Sequence, residues 1–271
     1  MSGRFHCRHV VVIKKEDVNM YMRFLHVNVR QEAMPDIRTL YEEHIVPALH
    51  NVPGCLYASL IQSVHHQDEC ISMTLWKTAQ HAADYERSGV FATLLQAAQP
   101  YLVDSSEWNI HLSDDLTLQY DPVKQQPVVD EYVVSSQDNE EFLSQKDAEG
   151  FYIRIVSPQI QHGKAEEFKR IYTDVVLPQL HAVQGCRYAA IIANTQEPDK
   201  VISITIWNSK RDADAYENSG VFHELTDRLR HMFSEVYQWK MQLERETGRQ
   251  VVTSAEMTVE GFSIVTGKSF L

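Results

Sequence analysis

The sequence predicts an α+β fold made of two tandem ferredoxin-like units, and three observations carry that prediction. The chain contains itself twice: residues 21–108, moved forward by 131 positions, fall without a gap on residues 152–239, with identity at 26 of 88 positions. Within each copy the hydrophobic period switches between two and 3.6 in the order βαββαβ. The repeat length is that of a domain, not the roughly 20–50 residues of a solenoid unit, so the array has two members. Shared positions include Trp76/Trp207, Tyr85/Tyr216, Gly54/Gly185, Cys55/Cys186, His50/His181 and Trp108/Trp239, and the longest common string is Ser88-Gly89-Val90-Phe91 against Ser219-Gly220-Val221-Phe222.

The elements follow in order. Residues 22–29 and 152–160 read as first strands rich in β-branched and aromatic residues, with Pro158 marking a bend or an edge. Helical spacing of Ile37, Leu40, Tyr41 and Ile45, and of Phe168, Ile171, Tyr172 and Val176, predicts helices over 36–46 and 165–177. Pro47 and Pro178 stop or kink them, and Gly54 and Gly185 mark the following turns. Two strands come next in each copy, 56–62 with 70–76 and 187–193 with 201–207, joined by polar hairpin loops at 65–68 and 196–199. Thr78 and Ser209 have the character of helix N-caps for a short helix carrying Ala82, Tyr85 and Glu86, or Ala213, Tyr216 and Glu217, on one face. Ser88 and Ser219 can cap a second helix. A fourth strand is expected at 108–112 and 239–243, and weakly alike segments at 128–135 and 259–265 predict an additional trailing strand. The resulting division is an N-terminal arm (1–20), a first domain (21–135), a polar linker (136–151), a second domain (152–265) and a tail (266–271).

Composition narrows the function classes. The 271 residues are 44% hydrophobic and 23% charged, which are globular values. A formal charge of -12 without a Lys/Arg run argues against nucleic acid or an anionic membrane as partner. Four cysteines, two of them at equivalent positions, have the pattern of small buried hydrophobes in a reducing compartment. Residues 1–15 lack a long apolar core and no run of 18 apolar residues occurs anywhere, so the expectation is a soluble cytoplasmic protein with a small organic ligand. No Ser-His-Asp series, Gly-rich phosphate loop, paired-Cys zinc motif or His-Glu-x-x-His string is present. His6-Cys7-Arg8-His9 could chelate a metal but has no counterpart in the second copy, so no metal site is expected.

The strand ending in Trp, the capped helix with its aromatic and the Ser-Gly-Val-Phe opening of the next helix resemble the antibiotic biosynthesis monooxygenase (ABM) family, over about residues 21–112 and 152–243. The resemblance implies a dimeric α+β barrel, in which two four-stranded sheets close face to face with helices outside and a ligand cavity in each unit. Covalent duplication then lets both halves pair within one chain as an intramolecular pseudo-dimer, with whole-chain homodimers as the alternative or a further level of assembly. It also implies a cofactor-independent monooxygenase acting on a small aromatic, quinol or polyphenol. A haem-degrading branch of the family uses an Asn on the first strand, a Trp in the short helix and a His ten residues beyond; those positions hold Leu25 and Val156, Tyr85 and Tyr216, and Leu95 and Thr226, so haem degradation is not expected.

Tyr85 and Tyr216 are candidate catalytic residues, since a phenol can hold a substrate oxygen between helix and sheet, although burial in the core serves as well. His50 and His181, near a helix end, are candidate general bases, against a capping role at the helix C-terminus. Trp76, Trp207, Arg23 and Arg154 are candidate pocket residues; the tryptophans equally suit packing, and the arginines invite pairing with Glu86 and Glu217. The shared polar set predicts two equivalent sites per chain or none. A non-catalytic small-ligand-binding or assembly module on the same barrel is the alternative reading, and an isomerase or lyase cannot be separated from it by sequence.

Overall fold

The computed structural model describes residues 19–103, 108–112, 118–122, 127–138, 150–249 and 257–270. The His6-Cys7-Arg8-His9 string lies outside them. The first copy contains β1 (Tyr21–Asn28), α1 (Met34–Leu40), α2 (Val46–His50), β2 (Cys55–Ser63), β3 (Glu69–Trp76), α3 (Ala79–Arg87), α4 (Val90–Ala98), a detached pair β4 (Trp108–Leu112) and β5 (Leu118–Pro122), and β6 (Val128–Asp138). The second contains β7 (Tyr152–Ser157), α5 (Ala165–Ile171), α6 (Leu177–Ala182), β8 (Cys186–Asn194), β9 (Val201–Trp207), α7 (Lys210–Asn218), α8 (Val221–Leu229), α9 (Glu235–Thr247) and β10 (Thr258–Ser269).

Eight strands close an antiparallel barrel in the order β1-β3-β2-β10-β7-β9-β8-β6. The trailing strands make the closure: β6 pairs with β1 of its own copy and β8 of the other, and β10 pairs with β7 and β2. An eight-stranded barrel is just wide enough for side chains to fill. Met22, Phe24, Tyr57, Tyr132, Tyr188 and Phe262 do so, drawn from both copies. Outside the barrel each copy builds its own helix-on-sheet core, one around Trp76 and one around Trp207. The two-residue alternation of β1 thus separates Met22 and Phe24, in the lumen, from Tyr21, Arg23 and Val27, on the helix-covered side.

Two expectations are corrected. The fourth barrel strand of each unit is the trailing segment, not 108–112 or 239–243. Residues 108–112 pair only with β5, and 239–243 lie within α9, which opens on Ser234, whose side chain accepts from the Tyr237 N–H, and ends at Gly248 with φ +65°. Those are strong helix signals at both ends, and they override the match to the first copy. Strand pairing also reaches beyond the expected boundaries: β6 runs to Asp138, into the segment read as linker, and β10 runs to Ser269, through most of the segment read as tail.

Proline does not end the first helices. A π-helical turn, Tyr41–Ile45 or Tyr172–Val176, precedes Pro47 and Pro178, and the helix continues to His50 or Ala182. Proline lacks an N–H and crowds the carbonyl four residues back; the wider turn accommodates it. Thr78 and Ser209 cap α3 and α7 by accepting from the His81 and Asp212 N–H groups. Ser88 and Ser219 instead end those helices, and Gly89 and Gly220, at φ +80° and +86°, start the next.

Gly185 sits at φ +90°, and an added Cβ would lie 2.7 Å from the Cβ of Asp212. Gly185→Ala is therefore expected to lower stability by about 1–3 kcal/mol, read as a fall in the urea midpoint; an unchanged midpoint would mean that the loop relaxes. Burial pushes the Cys55 thiol from 9.0 up to about 12 and the Tyr57 phenol from 10.0 up to about 12. Because the folded values exceed the unfolded ones, this stability is fully present below pH 9 and is lost as pH rises from 9 towards 12. Urea midpoints measured at pH 7, 9 and 10.5 should fall only above 9.

Candidate functional site

Each copy holds one cavity between its helices and the outer face of its half of the barrel. The first is lined by Arg23, Tyr41, Ser72, Thr74, Tyr85 and Phe91 among aliphatic residues, and the second by the equivalents Arg154, Tyr172, Ser203, Thr205, Tyr216 and Phe222. The free space is about 60 Å³ in the first and about 50 Å³ in the second, room for a few waters at roughly 10–15 Å³ of such volume each. An aromatic ring therefore enters only if the flanking helices move apart.

Among the described residues, the arginine is the charged group lining each cavity. Arg23 and Arg154 are 4% and 3% exposed, brought to the helix side by strand alternation, and each guanidinium lies over an aromatic ring, 5.0 Å from Phe91 and 4.4 Å from Phe222. Arg23 Nη2 is 3.6 Å from a Glu86 carboxylate oxygen and its Nε is 3.2 Å from Glu131; Arg154 Nη2 is 3.0 Å from Glu217. The ion-pair distances hide imperfect angles, since Arg23 Nε and Arg154 Nη2 are buried without a hydrogen bond of proper geometry. We regard these contacts as Coulombic pairs with donor capacity in reserve. Glu86 and Glu217 are about half exposed, so each pair spans cavity and solvent.

Tyr85 and Tyr216 stand beside the arginines. Their rings stack on Trp76 and Trp207 at 4.9 and 5.1 Å, and burial holds both phenols well above their usual range, with the nearby arginine opposing. They are neutral hydrogen-bonding groups at any physiological pH and cannot serve as bases there. Trp76 and Trp207 are fully buried and do not line the cavities. Each indole N–H donates to the threonine two residues earlier, Thr74 at 2.9 Å or Thr205 at 2.8 Å, so the tryptophans back the tyrosine and fix the threonine.

The histidines are not brought to the cavities. His50 is exposed, stacks on Phe270 at 5.2 Å and lines a separate groove with Thr266 and Lys268; His181 is exposed as well. The neighbours Leu49 and Leu180 face inward and line the cavities, and one helical step turns the next residue by about 100°. Tyr41 and Tyr172, overlooked as site residues, are held by the π turn with their hydroxyls 2.5 Å from Ser72 and Ser203. Their signal was available: Tyr41, Ser72, Thr74 and Phe91 all recur identically in the second copy. Among the described residues no group of three or more His, Cys, Asp or Glu is placed to hold a metal, and no helix is long and apolar enough to cross a membrane.

The family and the fold are shared with known proteins. The family model for antibiotic biosynthesis monooxygenase matches residues 20–97 and 151–228, more than half of the chain. No curated protein matches. Similar solved structures include a candidate monooxygenase of Lactobacillus acidophilus (TM-score 0.64, 8% identity, 93% of this chain and 97% of that one), another of Fusobacterium nucleatum (0.64, 6%, 93% and 95%) and an anthrone oxidase-like protein (0.56, 12%, 94% and 94%). At these identities the likeness is one of fold.

Proposed function

Since the chain belongs to the antibiotic biosynthesis monooxygenase family, we propose that its two cavities oxidise a small electron-rich aromatic, a quinol, polyphenol or anthrone, with molecular oxygen and no resident cofactor. The observation that carries the reading is the repeated constellation of one buried guanidinium, one neutral phenol, a Tyr–Ser pair and a threonine converging on an otherwise apolar space. Convergent polar groups favour an enzyme over a purely apolar binding module. The solved relative described as anthrone oxidase-like suits the substrate class.

The chemistry needs an anion first. A substrate oxygen set against the guanidinium and the Tyr85 or Tyr216 hydroxyl has its negative charge stabilised where water is excluded. The proton leaves to the rim carboxylate of Glu86 or Glu217 and then to solvent. The carbanion form of an anthrone-like CH₂ gives an electron to oxygen, and recombination makes a carbon–oxygen bond as a peroxide. Protonation and loss of water leave a carbonyl, so one oxygen atom is kept and the other leaves as water. The protein binds, orients and stabilises, while the substrate itself reduces oxygen.

The test is oxygen uptake by metal-stripped protein with a panel of quinols and anthrones. Uptake that persists with chelator present supports the reading. Absence of uptake from folded protein, with aromatic ligands still raising its melting temperature, would replace it with the binding-module alternative.

A further inference from the structure

The two cavities share nearly all their polar lining, but the strand that flanks each arginine does not. In β6, Glu131 pairs in register with Arg23; in β10 the residue in register with Arg154 is Gly261. Around Arg23 stand two carboxylates, Glu86 and Glu131, and the Glu131 oxygen lies 3.2 Å from Nε. Around Arg154, among the described residues, stands one, Glu217. The next charges out, Lys210 and Asp214, pair with each other at 2.7 Å. Each guanidinium keeps one buried nitrogen without a hydrogen bond, Arg23 Nε and Arg154 Nη2, so what separates the sites is charge: among the described residues the first carries a surplus carboxylate and the second is balanced.

The glycine has a local reason. A Cβ at position 261 would lie 1.9 Å from the Tyr152 hydroxyl, so the phenol of Tyr152 occupies the space a side chain would take. The equivalent Tyr21 is instead drawn to Glu131 and Thr195. The second cavity also gains a hydroxyl, Thr226 in place of Leu95. A guanidinium is an always-charged fork that suits a planar oxyanion, and a second carboxylate beside the same guanidinium offsets its charge and repels an incoming anion.

We propose that the cavity around Arg154 binds an aromatic ligand that arrives already ionised, one carrying a carboxylate, and that the cavity around Arg23 excludes such a preformed anion and takes aromatics that enter neutral. The proposal rests on the reading above only in taking these cavities as the ligand sites. It replaces two equivalent sites with two that differ in the charge of what they accept.

Calorimetric titration of the full chain with benzoate and with the neutral isostere benzamide tests it. Benzoate is expected to bind one site per chain. Gly261→Glu, which gives Arg154 the carboxylate that Arg23 has once Tyr152 swings aside, should weaken benzoate at least tenfold and leave benzamide unchanged. Glu131→Gln, which adds no bulk, should create a second benzoate site, and it decides the matter alone if the glycine variant does not fold. Two equal benzoate sites in the unaltered chain, no benzoate binding, or no second site in Glu131→Gln would each overturn the proposal. Oxygen does not enter the readout: a chain that binds benzoate once but consumes no oxygen with quinols refutes the oxygenase and leaves this inference standing.

Discussion

Replacing Tyr85 and Tyr216 together with phenylalanine is expected to lower turnover about 100- to 1,000-fold, the loss seen when one preorganised donor to a developing oxyanion is removed. The ring stays: its stacking on Trp76 or Trp207 and its edge contact with Phe91 or Phe222 do not involve the hydroxyl, so stability should hardly change. Tyr41→Phe/Tyr172→Phe is the informative contrast. There each hydroxyl is already engaged with a serine at 2.5 Å, and its loss should appear as about 0.5–1.5 kcal/mol of stability per site. The pair of measurements is initial oxygen uptake and a urea midpoint on the same samples. Turnover within about twofold of the unaltered protein in the Tyr85/Tyr216 variant would remove the phenol from the mechanism.

The largest effect on stability is expected from Trp76→Ala and Trp207→Ala. Each indole is 0% exposed, fills the junction of sheet and short helix, and donates its N–H to a buried threonine. Truncation removes the transfer energy, leaves a void and strips the threonine of its partner, about 3–5 kcal/mol at each site. Because the two tryptophans belong to separate helix-on-sheet cores, their losses should add. Against the 5–15 kcal/mol typical of native proteins, the double variant should be largely unfolded. Denaturant titration of the single variants checks this, and a loss under about 1 kcal/mol would mean that the neighbouring rings collapse into the space.

Much of the site was legible because the duplication acts as an internal comparison. Arg23/Arg154 and Tyr85/Tyr216 were found from their recurrence and from strand and helix periodicity, and the pairing with Glu86 and Glu217 followed from the same reasoning. Recurrence does not say which way a side chain faces. His50/His181 recur as faithfully as the tyrosines and lie outside the cavity, one helical step past the leucines that line it. Trp76/Trp207 recur because they support the pocket from behind.

The sequence by itself determined the two units, the order of strand and helix through the first three strands of each, and the capped short helices, all of which are written in local spacing or in identity between the copies. Only the tertiary structure decided which segment closes the barrel. Residues 128–138 and 258–269 become strands between two others because pairing partners exist for them on both edges, one in each copy, and no local pattern encodes a partner more than a hundred residues away. The same long-range pairing sets Glu131 beside Arg23 and Gly261 beside Arg154, so the charge of each cavity is settled by register across the barrel, a property of strands brought together in space.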